Sequence, residues 1–470
     1  MNFKALLSIS IMAGAASGCV NLAPATPEAD SVVPDVFSVA ESAPETSALY
    51  EWDEVILDDT LRHLIETALS ENRDLRAAVA NIRLARATAN ATSAARLPTV
   101  AASASATVGD TFESPGTLAA ASAFGDSNRA ALGLTSYEID LFGRIQNQSD
   151  AAYQSYLASV EDARAVQISI ISSIAEAWLT LAADKQLLLL AESTVESQSK
   201  SLALSTELFE AGVTTELAKR QASASVETAR AQAAQFRALV QQDINAIELL
   251  IGKRLPADVY EQAQLNPIPV KLTRPVGQDS SILLSRPDIR SAERSLAATS
   301  ANIGAARAAY FPSISLTSSA GYVSTDLGDL IDPSSGGWSF GPSISLPIFD
   351  GGRRKSNLEA ARARQDLVLA QYEKAIQSAF KDVSDALAVS ETIDERLEAL
   401  THLTDDTSVT FQLSEERFKV GVDNYLSVLD AQRSDYAARQ QLIAAQLTQG
   451  LNVVAFYRAL GGAPSNSSIE

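Results

Sequence analysis

Few side chains in this sequence have the type and spacing that covalent or acid–base chemistry requires. The two histidines, His63 and His402, fall in helical runs with no second ligand at metal-binding spacing. They read as surface histidines. The stretch "DGGRR", residues 350–354, follows a strand pattern and opens a helix, but it lacks the spacing of a phosphate loop. It reads as a strand-to-helix turn that uses glycine's backbone freedom. Asp423, Ser427 and Asp430 carry more interest. Offsets of four and seven residues from Asp423 predict that all three share one helix face. Such a stripe suits a solvated face. If several copies of the chain met around a pore, it would instead form acidic rings that attract cations. The expectation is no catalytic residue, no metal site and no cofactor.

The elements that must position these groups are unusual in length. Two runs of 68 residues, Arg144–Ala211 and Arg353–Val420, contain neither glycine nor proline. Each ends at a Gly-Val pair, Gly212–Val213 and Gly421–Val422, and each is followed by a returning run of 39 residues to Gly252 or Gly461. A helix of that size would span about 100 Å, which a single-core domain has no use for. The two glycines predict tight turns between paired rods.

The rods belong to an internal repeat. A shift of 209 residues aligns Arg144–Gly252 with Arg353–Gly461 without a gap, and a shift of 214 aligns residues 74–98 with 288–312. Each copy opens with an alanine- and arginine-rich stretch; in the first, Glu54–Leu97 predicts one helix. A strand follows each proline. In "PTVAASASATVG" Val100, Ala102, Ala104 and Ala106 share one face against Ser103, Ser105 and Thr107. In "PSISLTSSAGYV" Ile314, Leu316 and Tyr322 oppose Ser313, Ser315 and Thr317. The alternation runs about ten residues, the length of a membrane β-strand. Loops around 110–129 and 324–337 lead to return strands. In the first, Leu132 and Leu134 are out of phase with Tyr137 and Ile139, which predicts a bulge. In the second, Pro342 weakens a central-strand assignment.

At 470 residues the length suggests about three ordinary domains. A formal charge of −20 argues against nucleic acid. After the first twenty residues there is no continuous apolar run long enough for a membrane helix. The single cysteine excludes an internal disulfide. It closes "MNFKALLSISIMAGAASGCV", a secretory signal by pattern, with Lys4 before an apolar stretch. Ala16, Ser17 and Gly18 ahead of Cys19 resemble the lipobox of bacterial lipoproteins, which implies lipidation at Cys19; Val20 in place of aspartate implies sorting to the outer membrane. Residues 20–50, rich in Pro, Ala and Glu, predict an extended linker.

Two hairpins supply four strands, and four cannot close a barrel, so strands that span must be completed by other copies. A dimer's eight would be filled by side chains. A trimer's twelve would leave a lumen, which the polar rods favour.

On "LIETALSENRDLRAA", "SYEIDLFGRI", "PIFDGGRRKSNLEAARA", "RFKVGVDNYLSVLDAQ" and "FYRALGG", residues of about 50–461 resemble the outer-membrane efflux factor family of TolC and OprM, most closely its NodT-type lipoprotein branch. The resemblance implies a mixed α and β fold with a two-fold internal repeat, a long α-helical barrel plus a transmembrane β-barrel. Each chain would give four strands, twelve in a homotrimer. The implied segments are a lipoprotein signal peptide (1–18), a lipidated N-terminus and linker (19–52), helical segments (53–97 and 280–311) and β-hairpins (98–142 and 312–349). Long periplasmic hairpins (143–252 and 350–461), an inter-repeat linker (253–279) and a tail (462–470) complete them. The implied function is an exit duct for small molecules such as drugs, lipid-anchored in the outer membrane of a Gram-negative bacterium. Its partners would be a periplasmic adaptor (membrane fusion) protein, an inner-membrane transporter of the RND type and outer membrane lipid. Gly212, Val213, Gly421 and Val422 would be the adaptor-contacting tips. Asp430 matches an acidic position of the family's periplasmic aperture, while Ser427 and Ala218 stand where some members carry acids. A duct for type I protein secretion and a non-channel, rod-like structural lipoprotein remain as alternatives; neighbouring genes and membrane insertion, respectively, would separate them.

Overall fold

The computed structural model describes residues 21–27, 33, 51–109, 126–271 and 280–462. Cys19, most of the linker after it, the loop at 110–125 and the tail after 462 lie outside the described residues. In chain order the elements are α1 (Trp52–Val55), α2 (Asp59–Glu71), α3 (Arg73–Ala94), β1 (Val100–Thr107), β2 (Ser127–Ile139), α4 (Arg144–Glu210), α5 (Glu216–Ile251) and α6 (Ala257–Glu261). The second copy supplies α7 (Pro287–Ala308), β3 (Ser313–Ser324), β4 (Gly336–Ser345), α8 (Arg353–Lys419) and α9 (Tyr425–Ala459). The repeat is exact at two pairs of helices. α7 begins and ends 214 residues after α3, and α8 begins and ends 209 after α4. Both rods are single helices of 67 residues.

The expected single helix over Glu54–Leu97 is instead three. Neither break uses glycine or proline. Asp58 stops the chain by capping α2, its carboxylate accepting from the Leu61 amide at 2.8 Å. Asn72 divides α2 from α3. It is buried, its Oδ1 accepts from the amides of Asp74 and Leu75, and its Nδ2 donates to the Leu250 carbonyl at 2.6 Å. Short polar side chains that satisfy backbone groups locally compete with helix continuation.

The chain folds as two compact units. One contains Val160–Arg290 and Glu373 onward, together with the residues around α1 and α2. Its core is built on α2, whose Leu61, Leu64, Ile65 and Ala68 recur at helical spacing and are all buried. They join Ile171, Ile174 and Trp178 of α4, Ile247 and Ile251 of α5, and Val454 and Tyr457 of α9. α4 is the one described helix long and apolar enough to cross a membrane, yet 61% of its apolar window is buried in the protein. The linker past α6 is held by Lys185, whose Nζ donates to the carbonyls of Tyr260, Glu261 and Ala263.

The other unit contains Ile82–Ser159 and Ser291–Tyr372 and holds the sheet, antiparallel in the order β1-β2-β3-β4. β2 and β3 pair across the repeat boundary. The register sorts side chains by face. Val100, Leu134, Leu316, Phe340 and Trp338 fall on one side; Ser103, Gly133, Ser315, Ser319 and Ser343 fall on the other. On the polar side hydroxyls pair across strands, Ser315 with Ser343 at 2.7 Å and Ser319 with Ser339 at 2.8 Å. The expected bulge lies between Leu134 and Tyr137, with Ser136 at φ 51°, and it returns Tyr137 and Ile139 to the face of Leu132 and Leu134. Pro342 sits opposite Leu316 in β4, at the sheet's edge, where a missing amide costs this chain no ladder bond on its open side.

Between α4 and α5, Asp184 and Asp243 share a hydrogen bond. Burial first, and then the neighbouring Asp184 charge, push the Asp243 carboxyl up to about 7. Its ordinary pKa is 3.8, so the unfolded chain releases this proton at lower pH than the folded one. Stability from this group is therefore full below about pH 4 and declines as pH rises towards 7. Denaturant titrations of the detergent-purified protein at pH 5 and pH 7.5 should show Asp243→Asn with a smaller loss between the two pH values than the parent chain. An equal loss in both would show that Asp243 ionises normally.

Candidate functional site

The two rods end in the same backbone motif. In the first, the Gly212 amide donates to the Phe209 carbonyl and the Val213 amide to that of Leu208. In the second, Gly421 donates to Phe418 and Val422 to Arg417. This is a Schellman closure, which needs a left-handed residue at its corner. Gly212 at φ 72° and Gly421 at φ 77° supply it. No atom lies within 4 Å of where a Cβ would stand on either, so backbone conformation, not space, demands glycine. The following residue usually packs back on its own helix. Here Val213 and Val422 stay 72% and 62% exposed. The next helix is capped alike in both copies: Thr215 Oγ1 accepts from the Ala218 amide, and Asn424 Oδ1 from that of Ser427.

Asn424 also corrects the expected stripe. Because α9 starts only at Tyr425, Asp423 belongs to the turn and not to the helix face of Ser427 and Asp430. Its carboxylate instead accepts two hydrogen bonds from Arg417, at 2.7 and 3.1 Å. The guanidinium holds Asp423 below the usual carboxylate range. Ser427 and Asp430, three residues apart, share an exposed patch of α9. Asp430 carries no ion pair among the described residues; its carbonyl accepts from Ser434 Oγ at 2.9 Å.

Behind the tips the two hairpins are locked by groups that spacing alone did not single out. Ala222, Tyr425 and Leu429 are buried together, against Leu202 and Phe418. One turn farther, Gln198 donates to Gln432 Oε1 at 2.5 Å and accepts from the Tyr425 hydroxyl at 3.2 Å. A cavity of about 130 Å³ opens beside them, lined by Thr194, Thr228, Gln232 and Tyr436 among others. Glutamines inside helical runs look solvated in sequence. Their burial depends on which helix passes opposite.

The remaining candidates keep their simple readings. His63 and His402 are exposed side chains near Glu66 and Glu398. At "DGGRR" the amides a phosphate would use are taken: Asp350 accepts from the amides of Gly352 and Arg354 and from Arg354 Nε. Among the described residues, no group of three or more His, Cys, Asp or Glu could hold a metal ion.

An amphipathic β-sheet joined to two hairpins of very long helices defines a membrane channel that combines β-strands with helical hairpins. The sequence model of the outer membrane efflux protein family matches residues 64–253 and 280–462. The probable efflux pump outer membrane protein TtgC of Pseudomonas putida is 39% identical over 467 residues, 98% of this chain and 96% of that protein. The solvent efflux pump outer membrane protein SrpC of Pseudomonas putida is 42% identical over 432 residues, 91% of this chain and 89% of that one. The open-state crystal structure of the Neisseria gonorrhoeae MtrE outer membrane channel superposes with TM-score 0.84 at 35% identity, covering 94% of this chain and 98% of that one. The chain belongs to the outer membrane efflux protein family. It is an outer-membrane exit channel of a tripartite efflux system, with the helical-barrel and β-barrel fold of its neighbours.

Proposed function

We propose that three copies of this chain close a twelve-stranded barrel, and that the resulting duct passes small molecules such as drugs and solvents. The sheet itself calls for closure. β1 and β4 each have one edge with no partner among the described residues, although one face of the sheet is apolar enough for lipid. Ser103, Gly133, Ser315, Ser319, Gly341 and Ser343 on the other face are too small to fill a closed interior, which favours a water-filled lumen and hence three copies over two. Solvent efflux is what SrpC is named for, and it supports apolar small molecules as cargo here.

In this proposal a periplasmic adaptor docks on the tips and an RND-type inner-membrane transporter delivers the cargo. The open valines at Gly212–Val213 and Gly421–Val422 offer the adaptor apolar contact. Valine at both glycines forces a β-branched residue into the left-handed region, at about 1–2 kcal/mol per site. Efflux by the Gly212→Val, Gly421→Val chain, read as drug susceptibility of the cell, should fall while the trimer still reaches the outer membrane. Full resistance would remove the tips from the docking surface.

Asp430 is proposed to line the periplasmic aperture with Ser427. Three unpaired carboxylates in a narrow opening attract cations and raise the barrier to anions. Planar-bilayer recordings of Asp430→Ala should show weaker cation preference. Asp423→Ala should change it less, because Arg417 already neutralises that carboxylate. Equal selectivity in parent and both variants would return these aspartates to a solvated face.

Cys19 is proposed to carry the lipid anchor. Labelled palmitate should enter the parent chain and not Cys19→Ser; label in both would exclude acylation at this cysteine.

A further inference from the structure

All four strand-to-helix junctions lie at one end of the sheet, and cations cluster there. Arg96 precedes β1, Arg144 follows β2, Arg307 precedes β3, and Arg353, Arg354 and Lys355 follow β4. Several are spoken for. Arg144 pairs with Glu138, Arg354 with Asp350, and Arg307 donates to the Leu22 carbonyl at 3.0 Å. Arg96 and Arg353 have no ion pair among the described residues, and Lys355 reaches only Glu359, at 3.8 Å on an exposed surface. These three side chains belong to the two edge strands' feet. At the sheet's opposite end the described β3–β4 turn carries Asp326, Asp329 and Asp332 and no cation, and Arg129 of β2 is the described cation nearest that end. Acids stand at this end too, but Glu138, Asp140 and Asp350 are each engaged by Arg144, Arg354 or backbone amides.

The first turn of α8 gives a second reason. It contains Arg353 and Lys355 but no acid, although cations are disfavoured at a helix N-terminus. Helix stability therefore does not explain them. Next to them lie apolar side chains that the chain itself leaves open: Ile348 is 92% exposed, Phe349 90% and, beside Arg96, Leu97 69%. Apolar groups with cations one step beyond them match a membrane boundary, where hydrocarbon gives way to phosphate.

We propose that the feet of β1 and β4 bind an anionic phospholipid of the periplasmic leaflet, Arg96, Arg353 and Lys355 holding the phosphate and Leu97, Ile348 and Phe349 the upper acyl chain. Arginine suits this task because its planar donors fit phosphate oxygens. The assignment rests on the trimeric barrel proposed above. On closure, β4 of one copy meets β1 of the next, so both halves of the site stand at the foot of the same seam.

Native mass spectrometry of the purified assembly, titrated with phosphatidylglycerol or with phosphatidylcholine of equal chain length, tests this. The parent protein should retain phosphatidylglycerol at least fivefold better than phosphatidylcholine. The Arg96→Gln, Arg353→Gln, Lys355→Gln chain should lose that preference, and Arg96→Gln alone should reduce it. Equal retention of the two lipids by the parent, or full preference in the triple variant, would overturn the proposal. So would inorganic phosphate that displaces the lipid at low millimolar concentration, since that would assign the cations to a soluble anion. The lipid-free mass reports the copy number in the same spectrum, so failure of the trimer is seen separately from failure of the lipid site.

Discussion

Every backbone amide inside a bilayer must find its partner within the protein, and a four-stranded sheet leaves two rows of them unanswered. That constraint organises much of what surrounds the strands. In the proposed assembly it gives the outer rows of β1 and β4 to other copies. It favours alternation, because a strand whose phase slipped would turn most of its hydroxyls to lipid. The bulge at Leu134–Tyr137 shows how closely the phase is kept: one irregularity in β2 restores the face that its sequence would otherwise reverse. Pro342 lies on β4, whose outer row this chain leaves open.

The two tips show how a duplicated unit keeps backbone geometry while its chemistry diverges. The Schellman closure and the capped start of the next helix occur in both. At the repeat positions of Arg417, Asp423 and Asp430 the first copy has Leu208, Thr214 and Gln221. The Arg417–Asp423 pair and Asp430 thus belong to the second copy alone. The Gln198–Gln432–Tyr425 cluster then ties the first tip to the second, so neither hairpin end is positioned independently of the other.

Much of the fold was legible in the sequence because its signals are local and repeated. Rods of 67 residues, glycine corners, alternating strands and the bulge each follow from a spacing or a breaker. The breaks at Asp58 and Asn72 were not, because each relies on a polar side chain choosing a backbone partner, in Asn72's case the carbonyl of Leu250. Asp423 was misplaced for a related reason. Counting offsets assumes that the helix extends back to the first residue counted, whereas Asn424 caps it one residue later. The raised pKa of Asp243 beside Asp184 depends on helices distant in sequence being packed side by side, and no pattern within either helix encodes it.

The pairing of β2 with β3 across the repeat boundary has a consequence for how such a barrel comes into being. A ring of twelve strands made from single hairpins would need six independent chains to meet. In the trimer proposed above, joining two hairpins in one chain makes half of the seams between hairpins intramolecular, so only three chains must find one another. The yield of closed rings then follows the third power of the free subunit concentration instead of the sixth. The internal repeat thus lowers the subunit concentration at which rings close.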